Sequence, residues 1–183
     1  MLIPGRDSGF IPHVGGWYGE IMRNTDTDSA TNLLTALGSG LAGAATLNVI
    51  HETIRRIRPH DAPRMDVLGR RSIARGLEAV GITPPSQNKL QGLALAGDLL
   101  ANSLFYAMVG AGSPTPRRAM LRGALLGSAA GIGAVVLPPM MGLGSAPSRR
   151  TPQTKAMTFA WYLAGGLAAA GVWSLVDARR RAE

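Results

Sequence analysis

Asp98 and Asn102 are the residues of this chain whose type and position could do chemistry, because they interrupt the apolar stretch LAGDLLANSLFY. Ala94, Asp98, Asn102 and Tyr106 recur every four residues, so in a helix they share one face. A charge deep in a bilayer costs roughly 2.5–3.5 kcal/mol on insertion scales. We therefore expect Asp98 to face protein or a wet cavity and not lipid.

Two interpretations of Asp98 remain open from the sequence. Asp98 and Asn102 could hold helices together by hydrogen bonds, or Asp98 could be a proton or solute site. Arg122 enters its own segment from the opposite end, so we expect it to lie too far away. The predicted partners of Asp98 are Asn48 and His51 in the first apolar segment and Thr158 and Tyr162 in the last.

A second polar cluster follows the first apolar segment, in NVIHETIRRIRPHD. Two histidines and two acids could bind zinc, but the spacing is not the HExxH that places two histidines on one helical face. We predict no metal site and expect Glu52 to pair with Arg55 or Arg56 at the lipid surface. The polar site predicted within the membrane comprises Asp98, Asn102, Tyr106, Asn48, His51 and Glu52.

No motif predicts catalysis or a bound cofactor. The chain has no Cys, which excludes disulfides, thiolate metal sites and cysteine nucleophiles. We find no nucleophile triad, phosphate loop or dinucleotide fingerprint. The glycines lie in apolar segments, which is the wrong context for binding a phosphate group. We predict neither a catalytic residue nor a cofactor.

The composition indicates that these residues lie in a membrane. Only 16% of the 183 residues are charged, against roughly 25% in soluble proteins, and there are 24 Gly but few aromatics. Four apolar stretches approach the ~20 residues that cross a bilayer. They lack the charged stripe of helices in a soluble bundle. The predicted spans are residues 30–50, 90–112, 119–138 and 157–176.

The fold class that follows is an all-α, polytopic membrane protein with about four transmembrane helices. Residues 30–183 are expected to form one membrane domain, and residues 1–29 an irregular tail at the interface. Pro138 and Pro139 at the end of the third segment leave a broken or re-entrant segment as the alternative to a full span.

The distribution of Lys and Arg predicts the orientation. With four spans, eleven basic residues fall on the side of the loop 51–89 and eight on the other. The positive-inside rule then places this loop in the cytoplasm and both termini outside. The arginines of the C-terminal DARRRAE argue against that orientation.

The loop 51–89 contains a predicted amphipathic helix. Asp61 is a plausible N-cap, Pro63 lies in the first turn and Gly81 ends the helix. A basic amphipathic helix lies flat on a bilayer and contacts anionic headgroups, and no motif supports nucleic-acid binding instead. The residues predicted to meet lipid headgroups are Arg64, Arg70, Arg71 and Arg75.

Small residues mark the predicted helix contacts. Gly123, Gly127 and Gly131 recur every four residues, which forms a flat groove of the glycine-zipper kind, and Gly40 and Gly43 line the first span. Such a groove packs another helix of the same chain or mediates oligomers and docking into a larger complex.

The stretch LRGALLGSAAGIGAVVLPPMMGLGSAP, followed by a polar loop and FAWYLAGGLAAAGVWSLV, resembles the third-span region and the layout after it in YagU-type bacterial inner-membrane proteins. The resemblance covers about the last third of the chain. It implies a multi-span protein of a bacterial cytoplasmic (inner) membrane and assigns no functional residue.

Three functions are therefore expected, in this order. The first is a non-enzymatic accessory subunit that packs through its glycine faces onto itself or a larger membrane complex. The second is a small oligomeric transporter or proton-linked permeation protein that uses Asp98. The third is a lipid-active enzyme that uses His51, Glu52 and Asp98.

Overall fold

The computed structural model describes residues 14–182, with side chains from residue 29 onward, and over these residues the chain is helical with no strand. A 3₁₀ turn, Met108–Gly110, follows the third helix. The helices are α1 (Val14–Ile57), α2 (Met65–Ala79), α3 (Gln87–Ala107), α4 (Pro116–Met140), α5 (Ala146–Arg149) and α6 (Pro152–Arg180).

Four of these helices are long and apolar enough to cross a membrane, which confirms the predicted fold class. They are Ser29–Ile57 of α1, Gln87–Gly110 (α3 with its 3₁₀ turn), α4 and α6. Their outer surfaces are apolar as well, since large side chains such as Leu34 and Leu100 are 69% and 63% exposed. An apolar exterior on four spans suits lipid as the surrounding solvent.

The four spans run up and down. Gly40 of α1 lies against Ser103 and Ala107 of α3, whereas Asn48, further along α1, bonds the earlier residue Asp98 of α3. The helices α1 and α3 are therefore antiparallel. The helices α1 and α6 are antiparallel by the same reasoning, because Gly43 contacts Gly165 while the later residue His51 packs against the earlier residue Trp161.

The glycines of α4 form its contact with α6. A Cβ at Gly127 would lie 2.7 Å from the Cα of Leu163, and a Cβ at Gly131 would lie 3.0 Å from the Cα of Phe159. Backbone meets backbone along this line, which only glycine permits. The predicted groove is thus filled by a helix of the same chain.

At one end of the bundle all four spans meet in a dense core, and we call this end the turn end because the connection between α3 and α4 lies there. Tyr106, Val109, Ala119 and Trp173 are at most 2% exposed. The indole N–H of Trp173 donates to the carbonyl of Pro114 at 3.2 Å, which attaches α6 to this connection. The opposite end, where α2 and α5 lie, is the loop end.

The third span is continuous, so the re-entrant alternative is not observed. Pro138 and Pro139 occupy the last turn of α4, where the helix is ending and few backbone bonds are lost. The N–H of Met141 still donates to the carbonyl of Leu137 at 2.9 Å.

Two local predictions need correction. The helix α1 begins at Val14, so residues 14–29 are helical where an irregular tail was expected; the prolines that suggested irregularity stand at positions 4 and 12, before this helix. Residues 1–13 lie outside the described part. Asp61 does not cap α2, because the N-cap is Arg64 and has no side-chain capping bond.

Other features of the loop agree with prediction. The amphipathic helix α2 is present and ends before Gly81, whose φ of +76° is the left-handed conformation that glycine adopts readily. Its Gly69 approaches Ala94 of α3 closely, since a Cβ at Gly69 would lie 2.9 Å from the Ala94 Cβ. The helix α2 therefore packs against α3 at the loop end.

Candidate functional site

Asp98 receives hydrogen bonds from two helices. The side-chain amide of Asn48 on α1 donates to one carboxyl oxygen at 3.1 Å, and that of Asn102 on α3 donates to the other at 3.0 Å. Asn102 lies one helical turn after Asp98, as its spacing predicts, whereas Asn48 comes from 50 residues away. Both carboxyl oxygens thus accept from neutral donors.

A cavity of about 1050 Å³ reaches this carboxyl from the loop end. Its size is at the upper limit of ordinary small-molecule sites, roughly 300–1,000 Å³. One wall, from α1 and α3, carries Asn48, His51, Asp98 and Asn102. The opposite wall, from α4, is apolar and built mostly of small residues: Ala129, Ala130, Gly133, Ala134, Leu137 and Pro138.

Asp98 lies about halfway through the bundle, and the cavity lining continues past it to Phe105. Asp98 lies eleven residues into α3 from Gln87, which is ~16 Å along the helix at 1.5 Å per residue. The hydrocarbon core of a bilayer is ~30 Å thick. Beyond Asn102 and Phe105 the dense core of the turn end begins with Tyr106, which is fully buried. The cavity therefore lies on the loop-end side of this core, and the bundle is closed on the turn-end side of Asp98.

Tyr106 closes the inner end of the site and does not bond Asp98. Its hydroxyl donates to the backbone carbonyl of Tyr162 on α6 at 2.8 Å. Tyr162 itself lines the cavity. Tyr106 lies two turns after Asp98 on α3, and its bond fixes α3 to α6.

The loop end of the cavity carries paired charges. Arg55 donates to one carboxyl oxygen of Glu52 at 2.6 Å, and Arg56 donates to the other at 2.9 Å, which confirms the predicted ion pair. His51 packs edge-on against Trp161, with ring centroids 4.8 Å apart, and its Nε2 has no partner among the described residues. His51 therefore lines the cavity without joining the Asp98 cluster.

A third carboxyl in the lining, Asp66, belongs to α2. Burial alone would raise the pKa of Asp66, but hydrogen bonding to Arg64 and the charges of Arg64 and Arg70 outweigh it, so the pKa lies below its ordinary value. Arg64 donates to Asp66 at 3.1 Å. Asp66 is therefore ionised at neutral pH, and the positive charges of Arg64 and Arg70 balance its negative charge.

The arginines predicted to meet lipid headgroups all have partners within the chain. Arg70 donates to Gln91 at 2.7 Å. Arg71 and Arg75 donate to the carbonyls of Leu143 and Met141, each at 2.7 Å, just after α4 ends. These bonds hold α2 across the loop end, between α3 and α4, and contact of these arginines with headgroups stays a prediction.

The remaining predicted partners lie elsewhere. Thr158 donates to the carbonyls of Ser148 and Thr154, so it holds α5 against α6. Arg122 bonds the carbonyls of Ala111 and Val109 at the turn end, away from Asp98 as expected. Asn48 is thus the predicted partner from another helix that bonds Asp98.

Sequence reasoning missed the α4 wall and the place of Asp66. The signal for the wall was present, because Ala129, Ala130, Gly133 and Ala134 are a second set of small residues beside the glycine stripe. A helix with small residues on two faces packs closely against two other helices, or packs against one helix and borders a cavity on its other face. Nothing local indicated that Asp66 enters the cavity, since it depends on how α2 packs.

Comparisons of this chain with protein-family models, with curated proteins and with solved structures found no match.

Proposed function

We propose that the protein is a small membrane transporter or proton-linked permeation protein in which Asp98 is the binding group. The observation that carries this proposal is the cavity, which extends from the loop end to Asp98 and stops at the closed turn end. Ionisable groups within a membrane are costly and most often mark proton or solute sites. A carboxyl that only tied helices together would need no cavity beside it.

An accessory subunit has less support than the sequence suggested. That expectation rested on open glycine faces, whereas Gly40, Gly43, Gly123, Gly127 and Gly131 all lie against helices of the same chain. Their close contacts account for those glycines without a partner. Glu52 is engaged by two arginines, so the part of the chain that the structure describes does not favour a lipid-active enzyme either.

We place the protein, as part of the proposal, in a bacterial cytoplasmic membrane with its loop end inward. The excess of Lys and Arg at that end supports the orientation, and the resemblance to YagU-type proteins supports the membrane. Four spans are few for a complete pathway, so we propose that a homodimer or higher homo-oligomer is the working unit.

Water access to the cavity is the first test. The chain has no Cys, so a single introduced cysteine is the only thiol. Ala130 of α4 lines the cavity, while Ile132, two residues further on the same helix, is 56% exposed on the outer surface. A membrane-impermeant thiol reagent in the loop-side solution should label Ala130→Cys and leave Ile132→Cys unlabelled. Absence of labelling at Ala130→Cys would mean a dry cavity and favour the structural tie.

The role of Asp98 is tested in proteoliposomes under an imposed membrane potential. The wild type should conduct protons, detected with a pH dye, and Asp98→Asn should not, because asparagine cannot gain and lose a proton. Thermal stability in detergent is the control. Intact flux in a folded Asp98→Asn protein would contradict the proton site, and loss of both flux and fold would point to the tie.

A further inference from the structure

The carboxyl of Asp98 differs from the other two in the cavity. Glu52 is paired with Arg55 and Arg56, and Asp66 is paired with arginines of its own region. No cationic side chain within the described residues forms an ion pair with Asp98. Among the described residues, Asp98 is therefore the one acidic group of the cavity that has no cationic partner.

Asp98 also has hydrogen-bonding capacity left. An ionised carboxylate offers about four lone-pair sites, and the amides of Asn48 and Asn102 use two of them. A buried carboxylate needs a counter-charge, which is either its own proton or a cation from outside. The geometry thus leaves room for a cationic centre beside Asp98, on the cavity side.

The opposite wall requires an apolar partner. The α4 residues that line the cavity carry no polar side chain, and Phe105 and Tyr162 bring aromatic rings to its inner end. An inorganic cation would leave this wall against water or empty space. A cation with an apolar body fills both sides of the cavity, and aromatic rings attract a cationic group further.

We propose that this cavity binds an amphiphilic organic cation, whose charged centre pairs with Asp98 and whose apolar body lies along the small-residue wall of α4. The inference rests on the proposed function and names its substrate class. Binding exchanges one positive charge for another: the cation enters, and the proton held by Asp98 leaves. Binding of the cation at this site is thereby linked to the release of a proton.

Proton release is the specific signature of this exchange. The titratable and charged groups that face Asp98 or share its cavity are His51, Glu52, Arg55 and Arg56 on α1, Asp66 on α2, Tyr106 on α3 and Tyr162 on α6; the α4 lining has none. Because several groups could respond to a ligand, the proton released on binding must be assigned by comparing the wild type with Asp98→Asn.

The probes are tetraphenylphosphonium and tetraphenylborate, which share size and shape but have opposite charge. Titration calorimetry of the detergent-solubilised protein in weakly buffered solution should show phosphonium binding with about one proton released. Asp98→Asn should bind it roughly tenfold or more weakly, since a charged partner is lost, and should release no proton. Equal binding of tetraphenylborate would overturn the proposal.

Occupancy of the cavity is tested on the α4 wall. A Cβ at Gly133 would meet only Leu137 at 3.5 Å, an ordinary contact, so Gly133→Phe directs a ring into the cavity without backbone overlap. A Cβ at Gly97 on α3 meets nothing within 4 Å and Gly97 does not line the cavity, so Gly97→Phe is the matched control. Phosphonium affinity should fall in the first variant and persist in the second.

The outcomes separate this inference from the proposed function. If Asp98-dependent proton flux is present and phosphonium does not bind, the permeation function stands and the substrate class is wrong. If phosphonium binds equally well to the wild type, Asp98→Asn and Gly133→Phe, it partitions onto the apolar surface, and the proposed cation site is overturned.

Discussion

The α4–α6 contact gives the sharpest test of the fold, through Gly127→Ala. A Cβ at this position would lie 2.7 Å from the Cα of Leu163 and 2.8 Å from the carbonyl oxygen of Tyr162. Optimal separation between carbon atoms is roughly 3.5–4.0 Å, so α4 and α6 must separate by about 1 Å. Both opposing atoms belong to the backbone, and therefore no side-chain rotation relieves the overlap.

The expected cost can be isolated with a second alanine on the same helix. Overpacking of this kind costs about 1–3 kcal/mol, while alanine is favoured over glycine in a helix interior by about 0.8–1.0 kcal/mol. Gly133→Ala receives the same helical gain without the overlap, because its Cβ would contact only Leu137 at 3.5 Å. The two variants should thus differ by about 2 kcal/mol in free energy of unfolding.

Thermal unfolding in detergent, followed by far-UV circular dichroism, measures this difference. At roughly 2–4 °C per kcal/mol for a chain of this size, Gly127→Ala should unfold about 4–8 °C below Gly133→Ala. Equal midpoints would refute the reasoning, because they would mean that α4 and α6 are not in backbone contact at Gly127.

The other predictions concern the ends of the bundle. Tyr106→Phe removes the bond to the Tyr162 carbonyl and should destabilise by about 0.6–1.5 kcal/mol, measured in the same thermal assay; an unchanged midpoint would mean that water replaces the hydroxyl. Asp66 has a lowered folded-state pKa, so its stabilisation of the loop end is present above the unfolded value of 3.8 and is lost as the pH falls through the folded value. Hydrogen exchange should show the α2 amides of the wild type losing protection as the pH is lowered below 3.8, and Asp66→Asn should show the weaker protection already at pH 7. Cysteine at Ser72 of α2 should be labelled only from the cytoplasmic side, and labelling only from outside would reverse the orientation.

The features that the sequence determined are those set by local spacing and composition. Four apolar stretches predict four spans, and each observed helix contains its predicted segment apart from residues 111 and 112. Asp98 and Asn102 bond each other because four residues make about one helical turn. Glu52 pairs with Arg55 and Arg56 for the same reason.

The choice among distant partners was decided only by the tertiary structure. Asn48, His51, Thr158 and Tyr162 were equally possible neighbours of Asp98, and the packing of α1 against α3 brings Asn48 to it. The glycine stripe of α4 predicted a close contact, but its period is the same for any partner helix, and the observed partner is α6. The arginines of α2 were assigned to lipid, whereas Arg71 and Arg75 reach the carbonyls that follow α4.

The cavity was the least predictable feature, because a space has no residue pattern of its own. It exists where α1 and α3 form one wall, α4 forms the other and α2 covers the loop end, so its lining comes from segments that are far apart in the chain. Helical period places Asp98 and Asn102 on one face of α3, but only the arrangement of four spans decides that this face borders open space and not another helix.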